Sequence, residues 1–285
     1  MHWQTARFRI DLAQPRVMGI VNVTPNSFSD GGRFHSSGAA LAQCERLVAE
    51  GADILDLGAE STRPGSPPVH LDEELARLLP VVRGAVTLGV PISIDTSKPD
   101  VMRACLDLGA DIVNDIWALR QPDARDVVAA HASCGACLMH MHGEPRTMQL
   151  APMQGDAVPQ VRAFLREQAQ ALQDHGVAAD RIVLDPGVGF GKSVAQNFAL
   201  LARQDELLDL GLPLLVGWSR KSSLGQVTGL DVQDRLLPSV AAALLAVERG
   251  ARIVRVHDVR DTVAALKVWS AARPELRDKT RETTP

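Results

Sequence analysis

The sequence predicts an α/β fold, a (β/α)8 TIM barrel with a short N-terminal extension. Two observations lead there. One joint recurs three times, as Gly51-Ala-Asp-Ile-Leu-Asp56, Gly109-Ala-Asp-Ile-Val-Asn-Asp115 and Gly250-Ala-Arg-Ile-Val-Arg-Val-His-Asp258. In each, a glycine able to take the left-handed conformation closes a helical pattern, a short apolar run follows, and polar residues end it. The chain also holds eight such apolar runs separated by amphipathic stretches. Short apolar strands alternating with helices imply parallel pairing buried on both faces, and eight such units fit a closed barrel.

Taken in order, residues 1–16 precede the first run and read as a hairpin or cap. The runs are Val17–Val21, Ile54–Leu57, Pro91–Ile94, Asp111–Val113, Ala136–Met139, Arg181–Leu184, Pro213–Val216 and Arg252–Val256. Between them, helical spacing of apolar residues marks Ala39–Glu50, Glu73–Val86, Pro99–Leu108, Val161–Gln173, Ser239–Arg249 and Thr262–Ala272. The barrel then occupies residues 17–272, residues 273–285 form a flexible tail, and the whole chain is one domain. A doubly wound open sheet has the same periodicity and is the rival architecture.

At 285 residues, with 46% hydrophobic and 22% charged, the chain can bury a large core. The net charge of −4, without a basic run, speaks against nucleic acid or a membrane surface as partner, so any anion is bound locally. The start, MHWQTARFRI, is no signal peptide, and no stretch is long and apolar enough to span a bilayer. A cytoplasmic protein is the expectation. Cys44, Cys105, Cys134 and Cys137 sit mostly in apolar patterns, as reduced, buried thiols do, and Cys134 and Cys137 supply only half of a zinc site.

The residues just past the predicted strands are Asn22, Gly58 to Arg63, Asp95, Asn114, His140, Asp185, Gly217 to Lys221, and Arg255 with His257. Any one of them could simply cap the next helix. Eight at once on the rim where barrel loops converge mark a site. The first loop, Asn22 to Gly32, is long and polar, carries Phe28, has hinges at Gly31 and Gly32, and reads as a lid. In the second, Arg63 can fork onto a phosphate, with Pro64 and Gly65 stiffening the bend.

The run Asp185-Pro-Gly-Val-Gly-Phe-Gly-Lys-Ser193 fails as a nucleotide loop. Pro186 stands where a Walker loop needs glycine, and Lys192 where a dinucleotide fingerprint needs its third glycine. Its glycines instead read as a mobile loop carrying Phe190 against a flat substrate. After the seventh strand, Gly217-Trp-Ser-Arg-Lys-Ser-Ser223 leads into a helix start, where main-chain N–H groups, hydroxyls and Lys221 suit a carboxylate or phosphate. Strand alternation points Arg255 and His257 to one side, a pair suited to pyrophosphate. His140-Met-His142 has the spacing of a hydrolase metal pair, but such barrels take that pair from the first strand, which here ends in Asn22. The oxygen donors on offer, Asn22 among them, suit Mg2+ held partly through substrate phosphates.

From Val17 to Val268 these motifs, MGIVNVTP-SFSDGG, GAESTRPG, ISIDTSKP, NDI, LMHM, LDPGVGFGK, SRKS and RVHDV, resemble the dihydropteroate synthase family of pterin-binding barrels. The resemblance implies condensation of 6-hydroxymethyl-7,8-dihydropterin pyrophosphate with p-aminobenzoate, a homodimer built from barrel helices, and Mg2+ as cofactor. It implies Asn22 as the Mg2+ ligand and Arg63, Arg255 and His257 on the pyrophosphate. Asp95, Asn114, Asp185 and Lys221 resemble the pterin pocket, and Thr62, Pro64, Phe190 and Ser222, with Gly217 nearby, would frame p-aminobenzoate. Asp95, Asp185, Lys221 and Arg255 are the catalytic candidates. Departures from the pattern are Asn26 for the usual Asp, His142 where Gln or Arg is common, and Trp218 before SRKS. The alternatives are a methyltetrahydrofolate methyltransferase, a pterin-binding barrel without catalysis, and a metal-dependent hydrolase using His140 and His142.

Overall fold

Eight parallel strands form one sheet that returns on itself. The structure, a computed structural model, describes residues 1–23, 33–60, 68–145 and 147–273, the side chains of 33–36 excepted. A short antiparallel hairpin, β1 (His2–Gln4) and β2 (Arg9–Asp11), comes first. The barrel strands follow as β3 (Arg16–Asn22), β4 (Ile54–Gly58), β5 (Ile92–Asp95), β6 (Ile112–Asp115), β7 (Gly135–Met139), β8 (Ile182–Asp185), β9 (Leu215–Val216) and β10 (Ile253–Val256). Their order, β8-β7-β6-β5-β4-β3-β10-β9, is sequential around the ring. A parallel bridge from Leu184 to Leu214 brings β9 back to β8. The open-sheet alternative therefore falls.

The helices lie where the amphipathic spacing puts them: α1 (Arg33–Ala49), α2 (Leu71–Ala85), α3 (Pro99–Asp107), α5 (Ala157–Asp174), α8 (Leu236–Glu248) and α9 (Val259–Ala271). Three more, α4 (Ala124–Ala130), α6 (Val194–Ala202) and α7 (Ser222–Thr228), complete the outer layer. Their apolar sides and the outward residues of the strands, such as Leu55, Leu57, Ile92 and Ile94, make the core between barrel and helices.

The bore is filled differently along its length. At its N-terminal end Met18, Ile54, Ile112, Cys137, Val183, Leu215 and Ile253 point inward and pack against Trp3, Ile10 and Leu12 of the hairpin. The Trp3 indole is completely buried and donates to the Arg181 carbonyl at 3.0 Å. Arg7 fixes the hairpin through the buried Asp111, with 2.6 Å between Nη2 and Oδ2. Side chains alternate along a strand, so the next inward residues lie two further on. These are Ile20, Asp56, Asn114, Met139, Asp185, Gly217 and Arg255. Toward the C-terminal ends of the strands the bore thus turns polar and charged, with Ile20 and Met139 as the apolar residues at that level.

Candidate functional site

At the mouth of the bore, Arg255 of β10 is the centre of a charged cluster. Its Nε donates to Asp56 Oδ2 at 2.6 Å and its Nη2 to Asp95 Oδ2 at 2.7 Å. Asn114 Nδ2 donates to the same Asp56 oxygen at 3.2 Å. Four strands, β4, β5, β6 and β10, are joined through these side chains. Gly58 makes room for this, since a Cβ there would lie 3.3 Å from that of Asp95.

Burial raises the Asp95 pKa; Arg255 opposes the rise, while Asp56, Asp115 and Glu74 add to it. For Arg255 burial works against the charge, but Asp56 and Asp95 outweigh it and hold the guanidinium firmly protonated. The sequence placed Arg255 beside His257 as a pair suited to pyrophosphate. In the structure one edge of Arg255 is committed to two carboxylates, and His257 Nδ1 lies 2.9 Å from Ser219 Oγ.

Asp185 enters from β8, buried at 6% exposure. Its Oδ1 accepts from the Gly187 N–H at 2.7 Å. Burial raises its pKa against the pull of that bond and of Lys221, Arg255 and Lys192. Lys221 Nζ lies 4.2 Å from the centre of the Phe190 ring, a cation–π contact. Burial and the neighbouring Arg255 lower the lysine to about 8, with Asp185 and Asp95 opposing.

The loop from Asp185 to Ser193 is clamped, which corrects the reading of a mobile loop. Lys192, 2% exposed, donates to the carbonyls of Gly187 at 2.8 Å, Phe190 at 3.1 Å and His140 at 3.3 Å. Gly189 N–H donates to Asn197 Oδ1 at 2.8 Å, and Met153 N–H to the Gly191 carbonyl at 2.9 Å. The glycines serve close approach rather than motion. A Cβ on Gly187 would sit 1.8 Å from the His140 carbonyl oxygen, and one on Gly191 2.2 Å from that of His142. Phe190 is accordingly only 8% exposed, packed with Met139, Met141 and Met148.

Other expected residues fall elsewhere. His140 faces away from the bore, its ring edge-on to Phe164 of α5 at 4.9 Å. Burial and the charge of Lys192 lower its pKa to about 2, so it stays neutral. Alternation explains this, since Met139 takes the inward position beside Asp185. His142 is exposed, and the described residues hold no group of three His, Cys, Asp or Glu with metal-ligand spacing. Trp218 is core, 5.3 Å from Phe198 between ring centres. Ser222 is exposed at the first position of α7, with Lys221 rather than a serine in the N-cap position. Arg220 of the SRKS run turns to Asp258, with Nη2 2.6 Å from Oδ1. All four cysteines are buried and free.

Asn22 ends β3 at the mouth, half-buried and paired in register with Gly58. The expectations for Asn26, Phe28, Gly31 and Gly32, for Thr62, Arg63, Pro64 and Gly65, and for the tail from 274 onward lie outside the described residues. Reading the sequence alone missed Asp56 and the clamping role of Lys192. Asp56 carried a signal, a lone acid inside the apolar run Ile54–Leu57.

A closed eight-stranded barrel with an acid-rich cluster of side chains at the strand C-termini defines a barrel enzyme with a small-molecule site. The chain belongs to the family of pterin binding enzymes, whose family model matches residues 18–257. It is 49% identical over 275 residues to the dihydropteroate synthase of Neisseria meningitidis serogroup B, covering 94% of this chain and 96% of that one. The Burkholderia cenocepacia dihydropteroate synthase, solved with 7,8-dihydropteroate, aligns with a TM-score of 0.88 at 53% identity over 97% of this chain and 98% of that one. The Xanthomonas albilineans enzyme, solved with 4-aminobenzoic acid, gives 0.90 at 48% identity over 96% and 99%.

Proposed function

We propose that the chain condenses 6-hydroxymethyl-7,8-dihydropterin pyrophosphate with p-aminobenzoate, giving 7,8-dihydropteroate and pyrophosphate. The observation behind this reading is that Asp56, Asp95, Asn114, Asp185, Lys221 and Arg255, from six different strands or the loops after them, meet at one mouth. A pterin ring presents adjacent N–H donors, and Asp185 would accept them as a charged pair. Asn114 and Asp95 would hold the rest of the ring edge, and Lys221 its carbonyl side.

The reaction breaks the bond between the methylene carbon and the pyrophosphate oxygen, the electron pair leaving with the oxygen. The amine nitrogen of p-aminobenzoate then bonds to that carbon and releases a proton. Departure before attack suits this site. Asp95 and Asp185 would stabilise a cationic ring, Arg255, His257 and Arg63 the leaving anion, and an arylamine needs no strong base. Phe190, Ser222 and Gly217, with Thr62 and Pro64, would frame the second substrate.

Asn22 offers one neutral amide oxygen at the mouth. That donor set fits a Mg2+ ion that keeps water and substrate phosphate as its other ligands. When bound, the ion would neutralise pyrophosphate charge. The purified protein with both substrates and Mg2+ should release pyrophosphate; tight pterin binding without release would instead select the non-catalytic reading.

Dimerisation is proposed through the α7–α8 side. There Val227, Leu230, Val232, Leu236, Leu237 and Leu245 are between 38% and 74% exposed, an apolar patch of the kind that marks an interface. Sedimentation should show a dimer that Leu237→Glu with Val227→Glu converts to monomer, and a wild-type monomer would overturn this. A cytoplasmic location is proposed from the four free thiols. No helix among the described residues is long and apolar enough to cross a membrane.

A further inference from the structure

Asp56 is costly for the fold to bury. Its carboxylate is completely buried, and its Oδ1 has no hydrogen-bond partner among the described residues. Asp56 and Asp95 together also exceed the single positive charge of Arg255. Burying an acid in this state is costly. What the carboxylate does is concentrated in one atom. Oδ2 accepts from Arg255 Nε and from Asn114 Nδ2, so a single oxygen faces both β10 and β6.

We propose that Asp56 is a positioning residue that sets the guanidinium plane of Arg255 and the amide orientation of Asn114 together. An ionised carboxylate only accepts, so the Asn114 amide must turn its nitrogen toward Asp56. Arg255 can satisfy Asp56 and Asp95 at once only with its Nε–Nη2 edge lying across the bore, which leaves Nη1 out of both ion pairs. The residue that grips the ring and the one on the leaving-group side are thereby aligned by the same atom. The inference rests on the roles proposed above for Asn114 and Arg255.

The test is a double-mutant cycle with Asp56→Asn and Arg255→Ala, followed by steady-state kinetics and thermal unfolding. Asp56→Asn keeps the shape, but its amide can donate as well as accept, so both partners lose their fixed orientation. We expect kcat/KM to fall by about tenfold to a hundredfold, mostly in kcat. In the Arg255→Ala background the same change should cost clearly less, since only the orientation of Asn114 is left to lose, and it should raise the melting temperature, because it removes one of two buried acids left without their cation.

The acid limb of the kcat/KM profile should also move to lower pH. The charged and titratable groups around Asp95 are Arg255, Asp56, Asp115, Glu74, Lys221 and Cys137. Removing the negative charge of Asp56 eases ionisation of Asp95. Additive losses in the cycle, or an acid limb that stays in place, overturn the proposal. If Asp56→Asn alone does not fold, the comparison of Arg255→Ala with the double variant still decides. A wild-type protein that releases no pyrophosphate would instead sink the functional reading itself, and the cycle is then read in melting temperature, where additivity still refutes the ion-pair geometry.

Discussion

Replacing Asp185 by asparagine isolates the charge of the acid deepest in the proposed ring pocket. In the wild type Oδ1 already accepts from Gly187 N–H at 2.7 Å. The asparagine oxygen inherits that bond, and its NH2 then stands where the second carboxylate oxygen had been. A ring N–H donor opposite it loses its acceptor. One charge-assisted hydrogen bond is worth roughly 1.5–3 kcal/mol, so its loss should weaken pterin binding about 10- to 150-fold. Loss of both should cost about two orders of magnitude or more in kcat/KM. The fold should persist, because burial disfavours this carboxylate's charge and an amide has none to bury. Calorimetric titration with the bare pterin, beside a thermal melt of each protein, measures both quantities. An affinity within about threefold of wild type, with a normal melt, would refute the assignment of Asp185 to the ring.

Three further outcomes are expected. Trp3→Ala empties the completely buried plug and should cost about 3–5 kcal/mol in denaturant unfolding while kcat/KM holds, since the site is at the other end of the bore. Gly187→Ala meets the His140 carbonyl at 1.8 Å, whereas Gly176, also at positive φ, has nothing within 4 Å of an added methyl. The first should therefore lose about 3 kcal/mol or more and Gly176→Ala only about 1 kcal/mol; equal losses would show that backbone strain alone matters.

Lys192 is the pH probe. Burial, with Lys221 nearby, lowers it to about 7 despite Asp185. Between about pH 7 and its ordinary value of 10.5 the unfolded chain binds the extra proton, so the wild type should gain stability over Lys192→Met as pH rises. The gain is at most about 1.4 kcal/mol per pH unit. A difference between the two proteins that does not change with pH would exclude a lysine buried in this way.

The architecture was legible because the apolar runs are short, bounded and buried on both faces. Each of the eight lies within two residues of its strand. The helix α4 escaped because its seven residues make too few turns to show periodicity. The site was legible residue by residue but not in its wiring. Asp95, Asn114, Asp185, Lys221 and Arg255 stand out as polar groups at strand ends. That Arg255 is bound between two acids depends on the register of β4, β5 and β10, which no local pattern states. His140 was misplaced because a strand end alone does not say which face comes next. The loop after β8 was misread because glycine permits both motion and close approach, and only the carbonyls of His140 and His142 reveal which applies.

The plugged base of the barrel has a consequence for traffic. With Trp3, Ile10 and Leu12 stopping the lower end, the bore, as the described residues form it, is closed at its base. Whatever settles at the depth of Asn114 and Asp185 must arrive first. A reactant lodged above it becomes a stopper, and nothing beneath can escape until that upper molecule departs or both leave as one.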